Sequence, residues 1–183
     1  MDRRQKRSRN AIFKAFIQLL SEKSYDRITV GEIIQQADVG RATFYAHFET
    51  KEYLLKALCR ELFAHVFESS LGEGDAHTHL FECEAPSSVF LHLLQHLQRN
   101  DNHVLELFSC RNDALFLDYF REELKDLVRS QLPQFAERKS PELPEEFWVD
   151  HIAATFVAAV RWWVENGAKQ SPEEIARYFF LAV

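Results

Sequence analysis

The sequence predicts an all-α fold of about nine helices, in which an N-terminal helix-turn-helix head precedes a larger helical body. Apolar residues recur three and four positions apart along most of the 183 residues, which is the spacing of amphipathic helices. Only five glycines and five prolines are present, too few for a fold with many tight turns. We place the head at residues 1–57 and the body at residues 58–183.

Charge is divided unevenly between these two parts. Residues 1–57 carry 11 Lys or Arg and 7 Asp or Glu, a net charge of +4. Residues 58–183 carry 11 and 21, a net charge of -10, and the two parts give the -6 of the whole chain. A basic end on an acidic protein is typical of a contact with nucleic acid. The head is therefore the expected nucleic-acid interface.

The first helix is expected over about residues 8–21, where Phe13 and Phe16 belong to an apolar stripe. The segment before and at its start is rich in basic side chains. These are Arg3, Arg4, Lys6, Arg7 and Arg9. Two interpretations stay open: an arm that follows the DNA backbone or enters a minor groove, and a disordered, solvated tail.

Two short helices joined by a tight turn follow. Thr29 and Glu32 have the spacing of a capping box, which begins the second helix. After a three-residue turn, Gly40 to Phe48 is expected to form the third helix, in which Phe44 packs against Val39 as a hydrophobic staple. Thr50 caps a fourth helix that runs to about residue 70.

The third helix has one face to pack and one face to offer to a major groove. Phe44 and Phe48, four residues apart, belong to the packed face. On the other face, Arg41 suits guanine, Ala42 a thymine methyl group, and Thr43 a base or a phosphate. The side chains suited to phosphate contacts are Tyr45, His47 and Lys51. The alternative is an ordinary surface corner between two short helices.

The run ITVGEIIQQADVGRATFYAHFETKEYLL resembles the helix-turn-helix signature of the TetR (tetracycline-repressor-like) family of bacterial regulators. The resemblance implies that the base-reading residues are Arg41, Ala42 and Thr43. It implies that the phosphate-positioning residues are Thr29, Tyr45, His47 and Lys51. Two departures are Gly40, where members often have a serine cap, and Gly31, where a longer side chain can help to read DNA.

The same resemblance implies a homodimer on a palindromic double-stranded DNA operator, with a body that binds a small effector. We therefore expect a transcriptional regulator, with repression released by a ligand as its mode of action. No cofactor and no enzymatic activity are expected, because P-loop, GxSxG, dinucleotide and HExxH motifs are absent. A histidine-dependent metalloenzyme and a DNA binder without sequence preference stay open as alternatives.

The body is expected to contain five further helices after a loop at about 71–86. They cover about 87–99, 102–110, 113–132, 145–166 and 172–182. Ser171, Pro172 and the acidic residues after them form a strong helix start. Gly167 suits the C-terminal cap of the preceding helix.

The last two helices are the expected dimer interface. The helix at 145–166 is apolar on two faces, so it is either buried within its own domain or shared with a partner. We prefer a four-helix interface between two copies over simple burial. The candidate residues are His151, Ala154, Ala158, Trp162, Ile175, Tyr178 and Phe179.

An effector pocket is expected between the intervening helices. Its candidate residues are Phe90, Leu94, Phe108, Phe116 and Phe120. A cavity lined in this way favours an apolar or aromatic effector. A plain aromatic core is the alternative for each of these residues.

Two groups of histidines have the spacing of metal ligands. His77 and His79 lie near Glu82 and Cys83, and His92 and His96 are one helical turn apart. Solvated loop histidines and helix-surface histidines are the default expectation, and no metal site is assigned. A metal-sensing role stays open.

The cysteines and the hydropathy indicate the compartment. Cys59, Cys83 and Cys110 lie far apart without a CxxC pair, which disfavours a disulfide framework. No segment approaches the roughly 18 uninterrupted apolar residues of a membrane span. We expect a protein of the cytoplasm that does not enter the membrane.

Overall fold

A computed structural model describes residues 3–70, 88–98, 105–108 and 114–183. Within these ranges the chain forms α-helices and short 3₁₀ helices and no strand, which confirms the all-α prediction. The α-helices are α1 (Arg3–Glu22), α2 (Val30–Gln36), α3 (Arg41–His47), α4 (Lys51–Ser70), α5 (Val89–Gln98), α6 (Ala114–Ser130), α7 (Glu145–Glu165) and α8 (Pro172–Ala182). The 3₁₀ helices are Tyr25–Arg27, Leu105–Phe108 and Leu132–Arg138. Throughout the described part of the chain, no helix has both the length and the apolar character that a bilayer crossing requires.

The predicted helix starts are confirmed at three caps. Thr29 and Glu32 form both hydrogen bonds of a capping box at α2. The Thr50 hydroxyl accepts from the backbone N–H of Tyr53 at 3.0 Å, at the start of α4. Ser171 forms a second capping box at α8. Each cap satisfies backbone donors that the first turn of a helix leaves without partners.

The largest departure from the sequence-based expectation is the start of α1. The basic segment is not a disordered tail, because α1 begins at Arg3. Two contacts tie this extension to the rest of the head. The Ser8 hydroxyl lies 2.7 Å from Nε2 of His47, and the guanidinium of Arg9 lies 2.8 Å from the carboxylate of Glu61. These contacts explain why the helical conformation extends upstream of the apolar stripe.

Three other expectations are tested by the described residues only partly or not at all. The helix predicted at 102–110 is described over Leu105–Phe108 alone, where it is a single 3₁₀ turn. The loop predicted at 71–86 lies outside the described residues, as do His77, His79 and Cys83. The boundary between head and body at residues 57 and 58 stays a prediction, since α4 runs through it.

The fold is built around α4. This helix packs against α5 and α6, while α7 contacts α6 and α8, and α5 contacts α8. In the head, α1 packs against α2 and α3. One continuous cluster of buried residues extends from Phe13 in α1 to Phe179 in α8. The position of α3 is therefore linked to the body through packed helices.

Aromatic packing fixes the position of helix α3. Phe44 and Phe48 are buried, with ring centroids 6.0 Å apart, and Phe48 meets Phe13 edge-on at 5.2 Å. Edge-to-face pairs of this kind add to the free energy that burial of the rings alone provides.

Phe44→Ala is expected to lower the free energy of unfolding by about 3–5 kcal/mol, because it leaves a cavity beneath α3. Its neighbour Tyr45 is 48% exposed, so Tyr45→Ala is the matched control and should cost less than about 1 kcal/mol. Urea unfolding followed by circular dichroism measures both values. Equal losses in the two variants would contradict the assignment of Phe44 as the anchor of α3.

Candidate nucleic-acid interface

The outer face of α3 carries the residues predicted to read bases. Arg41 and Ala42 at its N-terminal end are exposed, and Thr43 is half-buried. Tyr45 and Ala46 continue the exposed surface, whereas Phe44 points into the core. A short helix with its N-terminal end free and its other face packed can enter a major groove. The structure therefore places the three predicted base-reading residues together on one accessible surface.

The turn between α2 and α3 sets the direction of α3. The backbone N–H of Ala37 donates to the carbonyl of Ile33, and that of Val39 donates to the carbonyl of Ile34. Between them Asp38 has a φ of 49°, in the left-handed region. Aspartate tolerates this conformation better than most residues other than glycine. Gly40 then caps α3 without a side-chain hydrogen bond, as expected for a glycine.

Lys51, a predicted phosphate contact, is held within the head. Its ammonium donates to the carbonyls of Tyr25 at 2.7 Å and Ile28 at 2.8 Å, and it lies 4.0 Å from the Tyr25 ring centroid. Burial lowers the pKa of Lys51, and burial raises the pKa of Tyr25 to about 12. Two of the three ammonium donors are thus used to fix the segment that enters α2. A phosphate contact from the third donor stays a prediction.

Thr29, the other predicted contact on this side, is also engaged in local structure. Its hydroxyl donates to Glu32 Oε2 at 2.9 Å and accepts from the Glu32 backbone N–H at 3.2 Å. Glu32 in turn pairs with Lys23 at 2.5 Å. The hydrogen bond from Lys23, followed by those from Thr29, lowers the pKa of Glu32 to about 2. Because the folded-state pKa is depressed, this stabilisation is complete above the ordinary range of a glutamate and is lost as the pH falls towards 2.

His47, at the end of α3, anchors α1. The Ser8 hydroxyl donates its single proton to the Gln5 carbonyl at 3.0 Å, so at 2.7 Å it accepts from Nε2–H of His47. Burial, and then the charge of Arg9, lower the pKa of His47. A neutral ring with Nε2–H already in use offers only an acceptor at Nδ1. A phosphate contact from His47 therefore requires protonation or release from Ser8, and it stays a prediction.

Ser8 and Arg9 were not singled out from the sequence as positioning residues. The available signal was the helical spacing that continues upstream from Phe13 to Arg9, whose guanidinium lies 4.6 Å from the Phe13 ring centroid. Because Ser8 contacts His47 at the end of α3, the basic start of α1 lies beside α3.

The start of α1 is an exposed basic surface. Arg3, Arg4 and Arg7 are exposed, and the first turn contains no acidic residue. Cations at the N-terminus of a helix oppose its dipole, so this arrangement is unfavourable in isolation. Phosphate groups would remove that repulsion, and the nearness of α3 would bring them within reach. This surface extends the candidate interface beyond α3.

Replacing Arg4 and Arg7 together with glutamine is expected to weaken DNA binding similarly for all sequences. The slope of log K against log salt should become shallower by about 1 for each phosphate that the protein no longer neutralises. Fluorescence anisotropy over a salt series measures this slope. Arg121→Gln, at an exposed arginine of α6 in the body, is the control for loss of a surface arginine. An Arg4 and Arg7 double variant with the slope of the control would contradict the extended interface.

The predicted dimer residues fall into two groups. His151, Ala154 and Ala158 are exposed on α7. Ile175 and Phe179 are 1% and 0% exposed, so the protein's own core buries most of these two side chains. Trp162 and Tyr178 remain 45% and 37% exposed, with ring centroids 6.2 Å apart.

Several apolar side chains of α7 and α8 are exposed. Phe147 and Leu181, which the sequence analysis did not select, are 55% and 76% exposed. Between the two helices lies an open groove of about 460 Å³. Its lining includes Thr155, Ala158, Trp162, Ile175, Tyr178 and Ala182. We call this surface the α7–α8 face.

The effector-pocket candidates do not form one group. Phe108, Phe116 and Phe120 contact one another, with ring centroids between 4.9 and 5.8 Å apart. Phe90 lies in a second cluster, where its ring is 5.0 Å from that of Phe179. Leu94 is fully buried on α5. The structure therefore divides the candidates between two packed aromatic clusters.

The helix-surface expectation for His92 and His96 is wrong. Both are buried, with 2% and 1% exposure, because the face of α5 that carries them packs inward. Their Nε2 atoms lie 2.9 Å apart. Among the described residues, no three potential metal ligands come together.

Comparison with known families gives two matches. Residues 12–58 match the family described as bacterial regulatory proteins, tetR family. Residues 84–183 match the family described as transcriptional regulator C-terminal region. The first range contains α3 and the second contains the α7–α8 face.

Relatives along the whole chain agree with these matches. The chain is 34% identical to a TetR transcriptional regulator of known structure from Streptococcus agalactiae 2603V, with a TM-score of 0.71 and coverage of 100% of this chain and 96% of that one. It is 27% identical to the uncharacterized HTH-type transcriptional regulator YxbF of Bacillus subtilis, over 98% of this chain and 45% of YxbF. The chain thus spans less than half the length of that curated relative. RolR in complex with the ligand resorcinol shares the fold, with 20% identity, a TM-score of 0.56 and coverage of 100% of this chain and 90% of RolR.

Proposed function

The chain belongs to the TetR family of bacterial transcriptional regulators, and we propose that it is a repressor that binds a palindromic operator as a homodimer and is released by a small effector. The observation that carries this proposal is the exposed N-terminal end of α3, with Arg41, Ala42 and Thr43 on a buried aromatic anchor.

Sequence reading is assigned to α3. In a major groove, Arg41 forms two hydrogen bonds to guanine and Ala42 contacts a thymine methyl group. Thr43 reaches a base or a phosphate. Tyr45 and the basic start of α1 contact phosphates on either side of this groove, which fixes the register without reading sequence.

Dimerisation is assigned to the α7–α8 face. The exposed rings of Trp162 and Tyr178 support it, because their burial against a second copy would remove a large apolar area from water. Small residues at Ala154 and Ala158 permit close approach of two helices. A symmetric pair places two copies of α3 on half-sites about one helical turn, ~34–36 Å, apart.

The route from effector to DNA is assigned to α4 and α6. At the start of α4, Glu52 accepts a hydrogen bond from the Tyr119 hydroxyl of α6 at 2.5 Å, and Arg60 pairs with Glu123 at 3.3 Å. A shift of α6 therefore moves the helix that directly follows α3. An effector that favours a wrongly spaced pair of heads lowers operator affinity by its coupling factor.

The two aromatic clusters, one of which includes Phe116 and Phe120 of α6, support an apolar or aromatic effector. RolR, a fold relative, was crystallised with the aromatic compound resorcinol. The acidic body suits this arrangement because DNA repels it and only the heads engage. We place the protein in the cytoplasm, where the operator is accessible.

Selection from fragments of the source genome at about 0.15 M salt tests the proposal. The wild-type protein should enrich one palindromic site. Arg41→Ala should lose discrimination at one base position in each half-site by about 1–3 kcal/mol, because a bidentate contact is removed. Arg121→Ala, which removes an exposed arginine from the body, is the control. Retention of DNA without a common site would instead favour a DNA binder without sequence preference.

Dimerisation is tested separately by Ala158→Glu on the α7–α8 face. A buried carboxylate is costly, so this variant should sediment as a monomer at micromolar concentrations at which the wild type is a dimer. Ala136→Glu, at an exposed alanine of the 3₁₀ helix Leu132–Arg138, is the matched control. Sedimentation velocity measures all three. If the Ala158→Glu variant is still a dimer, the dimer interface lies on another surface.

A further inference from the structure

His92 and His96 stand out from the core in which they lie. In the described part of the chain they are the two buried polar side chains, among more than forty buried residues that are otherwise apolar. Leu93, Leu94 and Leu97 on the same helix are buried with them. Burying an imidazole costs free energy that a leucine at the same position would not. The pair therefore calls for a reason beyond core packing.

The geometry of the pair supplies that reason. The residues are four positions apart on α5, so both side chains project from one face of the helix. The ring centroids are 4.6 Å apart and the Nε2 atoms 2.9 Å apart, so the two nitrogens are turned towards each other. Two histidines at this spacing, with their ring nitrogens at one point, form the helical half of many metal sites.

A hydrogen bond between the rings is one way to satisfy this contact. It needs one Nε2 to carry a proton and the other to present its lone pair. When both rings carry their proton on Nδ1, both Nε2 lone pairs meet at the same point, and a cation at that point binds both. Neutral imidazole nitrogens suit Zn²⁺, Co²⁺, Ni²⁺ and Cu²⁺ better than Mg²⁺ or Ca²⁺.

We propose that His92 and His96 are two ligands of a divalent transition-metal ion bound within the body. Water, an effector or other groups of the protein complete its coordination. This inference rests on the proposed function only in one respect, namely that the ion would act as an effector of operator binding. The metal site itself stands on the buried pair.

The position of the site connects it to the rest of the body. Helix α5 packs against both α4 and α8. Its Gln95 side chain donates to Glu173 of α8 at 3.1 Å. An ion held by the two rings acts on a helix that contacts α4, the helix shared by head and body, on one side and α8 on the other.

Binding of Co²⁺ to the full, metal-stripped chain tests the proposal, with equilibrium dialysis and visible absorption as readouts. The wild type should bind about one Co²⁺ per chain, which Zn²⁺ displaces. His92→Asn and His96→Asn should each weaken binding by more than about 100-fold, since even supporting residues of a metal site contribute 10–100-fold. Asp118→Asn, which removes an exposed potential cation ligand from α6, is the control and should bind like the wild type.

Substitution of a histidine by cysteine, another metal ligand, provides a second test in case the asparagine variants fold poorly. His96→Cys should retain Co²⁺ and add a near-ultraviolet thiolate-to-cobalt absorption band beyond any that the wild type shows with its own Cys59, Cys83 and Cys110. A wild type that retains no Co²⁺ would overturn the proposal. So would folded His92→Asn or His96→Asn variants with wild-type affinity, or a Co²⁺-loaded His96→Cys variant without that band.

Operator binding in the presence and absence of Co²⁺ separates this inference from the proposed function. A protein that binds its operator but no Co²⁺ retains the proposed function without this site. A protein that binds Co²⁺ but selects no operator retains the site without the proposed function.

Discussion

A helix of seven residues is too short to persist in water by its own hydrogen bonds, so α3 depends on the aromatic packing beneath it. Phe44 and Phe48 hold α3 against Phe13 of α1, and the positions of the start of α1 and the start of α4 depend on this contact. Because α1 lies under α3, its basic start reaches the same surface. Because Phe48 ends α3, Thr50 can cap α4 two residues later, and the recognition helix is joined to the body with almost no intervening chain.

Polar side chains that the sequence assigns to DNA are partly used to build this head. Lys51 binds two carbonyls, Thr29 completes a cap and His47 holds Ser8. Each of these contacts stabilises the part of the head that positions α3. The exposed side chains of Arg41, Ala42 and Tyr45 are ones that the proposed function assigns to DNA. In that proposal, the side chains that position the reading surface and those that read it are largely different residues.

Local signals allowed much of this to be predicted from the sequence. Caps at Thr29, Thr50 and Ser171 depend on neighbours a few positions away, so spacing alone identifies them. The extension of α1 was missed because it depends on contacts from Ser8 to His47 and from Arg9 to Glu61, 39 and 52 positions apart. The burial of His92 and His96 was missed for a related reason. Helical spacing shows that they share a face, but which face packs inward is decided by α4 and α8.

Helix α7 has one face packed in the protein's own core and another face exposed. Trp148, Ile152 and Trp163 are buried in the protein's own core, whereas Trp162 and Ala158 are exposed. Each body carries a net charge of -10, so two copies repel each other, and contact between uncharged apolar surfaces has to offset this repulsion. The α7–α8 face supplies such a surface. Elsewhere on α7, Asp150 and Glu146 are paired with Lys125 and Arg129 of α6 in the same chain. Outside the α7–α8 face, these ion pairs within the chain partly neutralise the acidic side chains of α7, which lowers the repulsion that the proposed dimer has to overcome.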